Sequence, residues 1–245
     1  MDLSGKTALV TGSARRVGRA IALELARAGC DLAVHFHKST GEADALVEEI
    51  RRLGPRCVAV QGDLGEPQAA AEIVEQTVGQ LGRLDVLVNN AAVFESLPMD
   101  DWNASAWARV LQINTIAPAM LARAAVPHMR RAGSGRIVNI TDISAERPIR
   151  GFAAYCASKA ALVNLTQSLA RELAPQITVN AVSPGIAAFP DSYDDALRDR
   201  LVRRVPLQRS GTPEDIARAV RFLVADGDYM TGQVLVVDGG RSVVP

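Results

Sequence analysis

Cysteine is scarce in this chain of 245 residues: Cys30, Cys57 and Cys156 are odd in number and have no metal-like spacing. That argues against both a disulfide framework and a thiolate metal site, and reduced thiols in a cytoplasmic protein are the simplest account. Net charge is missing too. Lys plus Arg balance Asp plus Glu at 27 each, so nothing favours a nucleic acid or an anionic membrane surface as partner. No apolar stretch approaches the roughly 20 residues that span a bilayer. The opening MDLSGKTALVTG has neither the basic region nor the long apolar run of a signal peptide. Internal repeats, low-complexity segments and linkers are also absent. With 48% apolar residues, the length suffices for a single α/β domain over residues 1–245 with a well-buried core.

Strand and helix patterns alternate along the chain. Apolar runs at 6–10, 31–36, 57–61, 84–88, 136–140, 177–181 and 234–237 read as strands. Helical patterns include 41–53, stopped at Gly54-Pro55, and two long ones, 103–130 and 152–173. Continuous apolar runs, in place of strict alternation, argue for a parallel sheet covered on both faces. One polar, strand-free stretch, 186–204, stands out between Pro184-Gly185 and Val205-Pro206. It is expected to be a lid over a site, with a surface helical insertion as the alternative.

Chemistry concentrates between Asn139 and Lys159. Tyr155 and Lys159 stand four apart at the head of an Ala-rich helix, so their side chains share a face. A free tyrosine titrates at about pH 10, and a neighbouring ammonium is expected to lower that value and ready the phenol for proton transfer. Thirteen residues before the tyrosine, after an apolar strand, stands Asp142. At the other end of the chain TGSARRVG (11–18) lies between a strand and a helix, the setting in which glycine-bearing turns bind phosphate.

These motifs, with NNA at 89–91, Asn114, YCASK at 155–159, PG at 184–185 and DGG at 238–240, resemble the short-chain dehydrogenase/reductase family over nearly the whole chain. The resemblance implies a Rossmann-type doubly wound parallel sheet of about seven strands in the order 3-2-1-4-5-6-7. It assigns Tyr155 as proton donor, Lys159 as the group that lowers its pKa, and Asn114 as the anchor of a water beside Lys159. The other reading of Asn114 is a buried helix-kink residue just before Pro118. Cofactor contacts are implied at Gly12, Arg15, Arg16 and Val17; at His35, His37, Lys38 and Ser39; at Asp63 and Leu64; at Asn90 and Ala91; at Pro184 and Gly185; and at Tyr155 and Lys159. Asp63 is alternatively a turn or cap carboxylate. The end of the second strand, HFHKS, has no acid until Glu42. An acid there would hydrogen-bond a ribose hydroxyl and repel a 2′-phosphate, whereas Lys38, His37 and Ser39 can donate to one. NADPH is therefore the expected cofactor. The i, i+2 histidines His35 and His37 lack a third ligand, so no metal is expected.

Two departures from the family pattern narrow the expectation. Asp142 stands where a serine is usual, and Arg16 where TGxxxGxG has its second glycine. An ionised carboxylate cannot donate a hydrogen bond to a carbonyl oxygen, yet it accepts from ring N–H and amine groups. With HFHKS, both departures are similar to the pteridine reductase branch, in which Phe94 would stack a pterin against the nicotinamide. Phe94 is alternatively a core or lid-facing hydrophobe. That branch implies pterin or folate as substrate, with Arg16, Phe94, Asp142 and Tyr155 around it and hydride transferred to a C=N bond. The competing expectations are a carbonyl reductase of the same fold (3-oxoacyl thioester, diketone or quinone) and a non-catalytic NADP-binding regulator. Ser144, eleven residues before Tyr155, is an alternative holder of the serine role. Ala92 and the missing threonine after Pro184-Gly185 remove two further usual contacts. The two long helices are expected either to pack within the core or to pair between subunits in a homotetramer.

Overall fold

A computed structural model describes residues 1–189 and 193–244. Its elements are β1 (Thr7–Val10), α1 (Arg16–Arg27), β2 (Asp31–Phe36), α2 (Thr40–Arg52), β3 (Cys57–Gln61), α3 (Ala69–Leu81), β4 (Val86–Asn89), α4 (Ala104–Leu111), α5 (Ala117–Arg131), β5 (Gly135–Ile140), α6 (Ala153–Leu173), β6 (Ile177–Pro184), α7 (Asp195–Val202), α8 (Pro213–Ala225) and β7 (Val234–Val237). The seven strands form one parallel sheet in the order β3-β2-β1-β4-β5-β6-β7, as the family resemblance implies.

Both faces of the sheet are buried through its central strands, with the edge strands β3 and β7 partly exposed, which is why the central strands read as unbroken apolar runs. Successive residues of β1 point to opposite sides: Ala8 and Val10 pack with Ile21, Leu25, Ile50 and Val220 from α1, α2 and α8. Leu9, between them, packs with Ile73, Leu121 and Met129 from α3 and α5. Among the described residues no helix is long and apolar enough to cross a membrane. All three cysteines are buried and unpaired.

The structure differs from the sequence reading in three places. The single helix expected over 103–130 is α4 and α5 joined by a π-helical turn, Gln112–Ile116. The N–H that would bond the Asn114 carbonyl belongs to position 118, which is proline and has none, so the helix widens there. β6 runs to Pro184 because Val182, Ser183 and Pro184 pair with β7. Helix α8 was not anticipated, although Thr212-Pro213-Glu214-Asp215 carries its signature. Thr212 and Asp215 form a reciprocal capping box, with proline in the first turn.

A buried polar chain fixes the part of the sheet that carries the chemistry. Asn89 Nδ2 donates to Asn139 Oδ1 at 2.8 Å, and Asn139 Nδ2 donates to Thr166 Oγ1 at 2.9 Å. Thr166 in turn donates to the Leu162 carbonyl at 2.8 Å. β4 and β5 are thereby locked, just before Asn90 and Asp142, to α6, the helix that bears Tyr155. Thr166→Val leaves a buried Asn139 N–H without its acceptor, at an expected cost of about 1–3 kcal/mol. Thermal unfolding of this variant should show a fall in Tm of roughly 2–4 °C for each kcal/mol lost.

Candidate active site

The first turn is built for close approach. Gly12 has a left-handed φ of +62°, and a Cβ there would sit 3.0 Å from the Ala91 backbone. A Cβ on Gly18 would lie 2.4 Å from the Gly12 carbonyl oxygen, so only glycine lets α1 start against the turn. Arg16, where the family pattern has its second glycine, is itself left-handed at φ 52°, a strain of order 1 kcal/mol for a residue with a side chain. Arg15 precedes α1 in extended conformation and supplies no side-chain cap. The first amides of α1 therefore face outward with the positive end of the helix dipole, an arrangement suited to a phosphate. Thr11 Oγ1 accepts from the amides of Asn90 (2.9 Å) and Ala91 (3.0 Å), and Asn90 Nδ2 donates to the Thr11 carbonyl at 2.8 Å. Asn90 and Ala91 thus brace the Gly12 turn. Val17 packs partly into the core.

At the end of β2 one expectation is overturned. His35 is not a strand-end group reaching a cofactor; it is 2% exposed. Its Nδ1 accepts from the Gly12 amide at 3.1 Å, and its Nε2 lies 3.2 Å from the Gly62 carbonyl. Because Gly12 donates to Nδ1, the ring proton sits on Nε2 and is donated to Gly62. Burial lowers the pKa of His35 to about 4, with His37 and Asp63 the nearby charged groups. The histidine clips the turn after β1 to the loop after β3. His37 and Lys38 are exposed, Ser39 is half-buried, and His37 lies 3.4 Å from Asp63. Asp63 holds a turn by accepting from the Gly65 amide at 2.9 Å, and Leu64 is a core residue. Among the described residues no group of His, Cys, Asp and Glu is arranged to hold a metal ion.

After β5, Asp142 opens a short turn, its Oδ1 accepting from the Ser144 amide at 2.7 Å. The Tyr155 hydroxyl donates to the other carboxylate oxygen at 2.9 Å. Burial and the charge of Asp142 hold the Tyr155 pKa well above its ordinary value. This corrects the expectation that Lys159 lowers it. The Lys159 ammonium donates to the Ile140 carbonyl at 2.8 Å and lies 5.6 Å from the Tyr155 ring centre. Its own pKa is lowered to about 8 by burial. The Asn114 side chain bonds within the protein: Oδ1 accepts from the Val93 amide at 2.9 Å, and Nδ2 donates to the Val93 carbonyl and to Ser158 Oγ, each at 3.0 Å. It pins the backbone just before Phe94. Phe94 stacks on Phe152 at 4.4 Å and meets Tyr155 edge-on at 4.8 Å, with 41% of its surface exposed.

A cavity of about 630 Å³ opens in front of Tyr155 and brings together Arg16, Phe94, Asp142 and Gly185 from the expected site. Ser144 also lines it, buried, and its hydroxyl has no hydrogen-bond partner. His35 and Asn114 do not reach it. Sequence reasoning missed Arg147, Arg204 and Arg241 on its wall; only Arg241, directly after the DGG motif, carried a positional signal. Of the expected lid, Ile186, Phe189, Tyr193 and Leu201 line the cavity, while residues 190–192 lie outside the described residues.

Comparison with known proteins follows this geometry. A family model described as enoyl-(acyl carrier protein) reductase matches residues 12–242. The chain is 38% identical over 239 residues to 3-oxoacyl-(acyl-carrier-protein) reductase FabG of Staphylococcus epidermidis, covering 96% of this chain and 98% of the relative. It is 36% identical over 241 residues to the 3-oxoacyl-(acyl-carrier-protein) reductase of a Synechocystis species, covering 97% of each. Among solved structures, it resembles a blue fluorescent protein from a metagenomic library in complex with NADPH, with TM-score 0.90, 38% identity, and 98% and 99% of the two chains covered. It also resembles acetoin dehydrogenase from Enterobacter cloacae, with TM-score 0.91, 36% identity, and 98% and 97% covered.

The His35 clip has a pH signature. Its folded-state pKa is depressed, so its protonation opposes folding. Stability is full above about pH 6.5 and declines as pH falls toward about 4, by up to roughly 3 kcal/mol. Urea unfolding across that range should show the decline in the wild type and its loss in His35→Phe. The variant is also expected to be about 1–3 kcal/mol less stable at pH 7 and to bind dinucleotide more weakly.

Proposed function

The chain belongs to the short-chain dehydrogenase/reductase family, and on that premise we propose that it is an NADPH-dependent carbonyl reductase, acting on a 3-oxoacyl thioester or a related ketone. The observation that carries this reading is Tyr155 at the cavity wall with its hydroxyl held by Asp142 at 2.9 Å, and Ser144, whose buried hydroxyl is unpartnered, among the residues around the same space. The near full-length relatives that are 3-oxoacyl-(acyl-carrier-protein) reductases support it. They favour it over the pterin substrate first expected from Asp142, Arg16 and Phe94.

The residues fit NADPH. The Gly12 and Gly18 cradle and the uncapped start of α1 suit the pyrophosphate. The exposed Lys38 and His37 at an acid-free strand end suit a 2′-phosphate. Pro184, Gly185 and Lys159 would flank the nicotinamide half. Bound NADPH supplies the hydride. Tyr155 then acts as general acid, releasing its proton to the carbonyl oxygen as negative charge develops there. A phenol of raised pKa keeps its proton at neutral pH until that moment, and an alkoxide is basic enough to take it. Asp142 holds the phenol O–H before the substrate arrives. Ser144 supplies the neutral donor that a carboxylate cannot, stabilising the oxygen. Ile186, Phe189, Tyr193 and Leu201 of the expected lid cover the bound substrate, and the exposed Ile116 and Met120 belong to a subunit interface of a cytoplasmic homotetramer.

A second reading, pterin reduction, is favoured by one observation: the Asp142 carboxylate lines the cavity and suits ring N–H donors. NADPH oxidation with acetoacetyl thioester, a diketone and 7,8-dihydrobiopterin separates the two. We expect turnover of the carbonyl compounds and an inert pterin, and the reverse pattern would install the second reading. Tyr155→Phe should lower kcat about 10²–10⁴-fold. Asp142→Ser should keep or raise carbonyl turnover, whereas under the pterin reading it should abolish activity.

A further inference from the structure

We propose that the substrate of this site carries a carboxylate or phosphate arm, bound by Arg147, Arg204 and Arg241 across the cavity from Tyr155. The proposal rests on the reductase reading above and specifies its substrate class.

Among the described residues lining the cavity, four are arginines and one is a carboxylate, Asp142. Asp142 is already occupied by the Ser144 amide and the Tyr155 hydroxyl. Arg16 sits at the cofactor turn and is set aside. The other three arrive from separate parts of the chain: Arg147 after β5, Arg204 after α7 and Arg241 after β7. Three arginines from three separate segments line one open cavity, which a charge run on a single surface element would not do. Arg147 and Arg204 are exposed and Arg241 is half-buried; like charges gathered around one cavity repel, and an anion entering between them offsets the repulsion.

The supporting geometry is specific at Arg241. Asp238 accepts from the amides of Gly240 (2.8 Å) and Ser242 (2.6 Å), clamping the backbone on either side of Arg241. Gly239 and Gly240 are left-handed, at φ +66° and +88°, so the loop turns sharply before the arginine. Gly185 permits this packing, since a Cβ there would lie 2.7 Å from the Asp238 Cβ. Arg241 is half-buried, and burial lowers its pKa; Asp142 and Asp238 favour its charge and Arg204 opposes it. Arg147 is held by the Val244 carbonyl. Guanidinium forks pair with carboxylate and phosphate oxygens alike. Ile149, Ile186, Phe189 and Leu201 supply apolar wall between these groups, so the fitting molecule has a short apolar body between its ketone and its anionic end.

Two substrate pairs, each sharing one reducible ketone, test this. Acetoacetate is compared with its methyl ester, and acetoacetyl phosphopantetheine with acetoacetyl pantetheine. The anionic member of at least one pair should show a kcat/KM ten-fold or more higher, carried mainly by KM, and the pair showing it identifies carboxylate or phosphate as the arm. Arg241→Gln and Arg204→Gln should each collapse the anion-to-neutral ratio toward one, and Arg241→Lys should restore part of it. Equal turnover of both members in the wild type, or a ratio unmoved by both Gln variants, would overturn the proposal. Calorimetric titration of the NADP⁺-loaded protein with 3-hydroxybutyrate and with 3-hydroxybutyryl phosphopantetheine, repeated with Arg241→Gln, gives a readout independent of turnover. Binding of either anion that weakens ten-fold or more in the variant supports the arm, and no binding of either, or binding unaffected by the variant, counts against it. If no ketone turns over at all, the reductase reading fails while this titration still decides the anionic arm.

Discussion

A parallel sheet buried on both faces has one place left for polar chemistry, the loops at the carboxyl ends of its strands. Every strand here obeys that constraint. Gly12 follows β1, His37 and Lys38 follow β2, and Asp63 follows β3. Asn90 follows β4, Asp142 follows β5, Gly185 follows β6 and Asp238 follows β7. Residues far apart in sequence meet along this edge because the sheet order brings β1, β4 and β5 side by side at its centre. The Asn89–Asn139–Thr166 chain then fixes β4, β5 and α6 against each other, so that a loop residue, Asp142, and a helix residue, Tyr155, lie within hydrogen-bond distance.

That Asp142–Tyr155 contact gives the site its character. With a serine in place of Asp142, the phenol would face a neutral partner that both donates and accepts. With a carboxylate, it faces an acceptor only, and the pKa of Tyr155 rises under burial and negative charge together. Lys159, drawn to the Ile140 carbonyl, does not reverse the rise. The phenol is thus stored as a protonated acid. Beside it, Ser144 donates its amide to the same carboxylate and keeps a buried hydroxyl without a partner.

Much of this was legible in the sequence. Apolar runs marked the strands, and Tyr155, Lys159, Asp142 and the Gly12 turn were found from motif and spacing. What escaped was decided by tertiary packing. His35 looks like a polar strand-end residue, but its place on a strand flanked by β1 and β3 buries it under the turn it clips. Asn114 reads as a water anchor, and the folded chain adds what the sequence does not show, a π turn at Pro118 with the Asn114 side-chain amide bonded to Val93. Arg147 lies in the stretch read for its chemistry and Arg204 in the stretch read as a lid, yet neither was singled out, and only the folded chain gathers them around one cavity. The choice of substrate was drawn toward pterins by Asp142 and Arg16, two local departures, while similarity along nearly the full length points to 3-oxoacyl reductases.

The central claim is that hydride from NADPH ends on a carbonyl carbon in front of Tyr155. The most direct measurement is isotopic: turn over acetoacetyl thioester with NADPH carrying deuterium on both hydrogens of nicotinamide C4, and locate the label by NMR. One deuterium on the carbinol carbon of a 3-hydroxy product is the predicted result. An unlabelled, unreduced ketone, with deuterium appearing instead on a pterin ring carbon when dihydropterin is supplied, would contradict it.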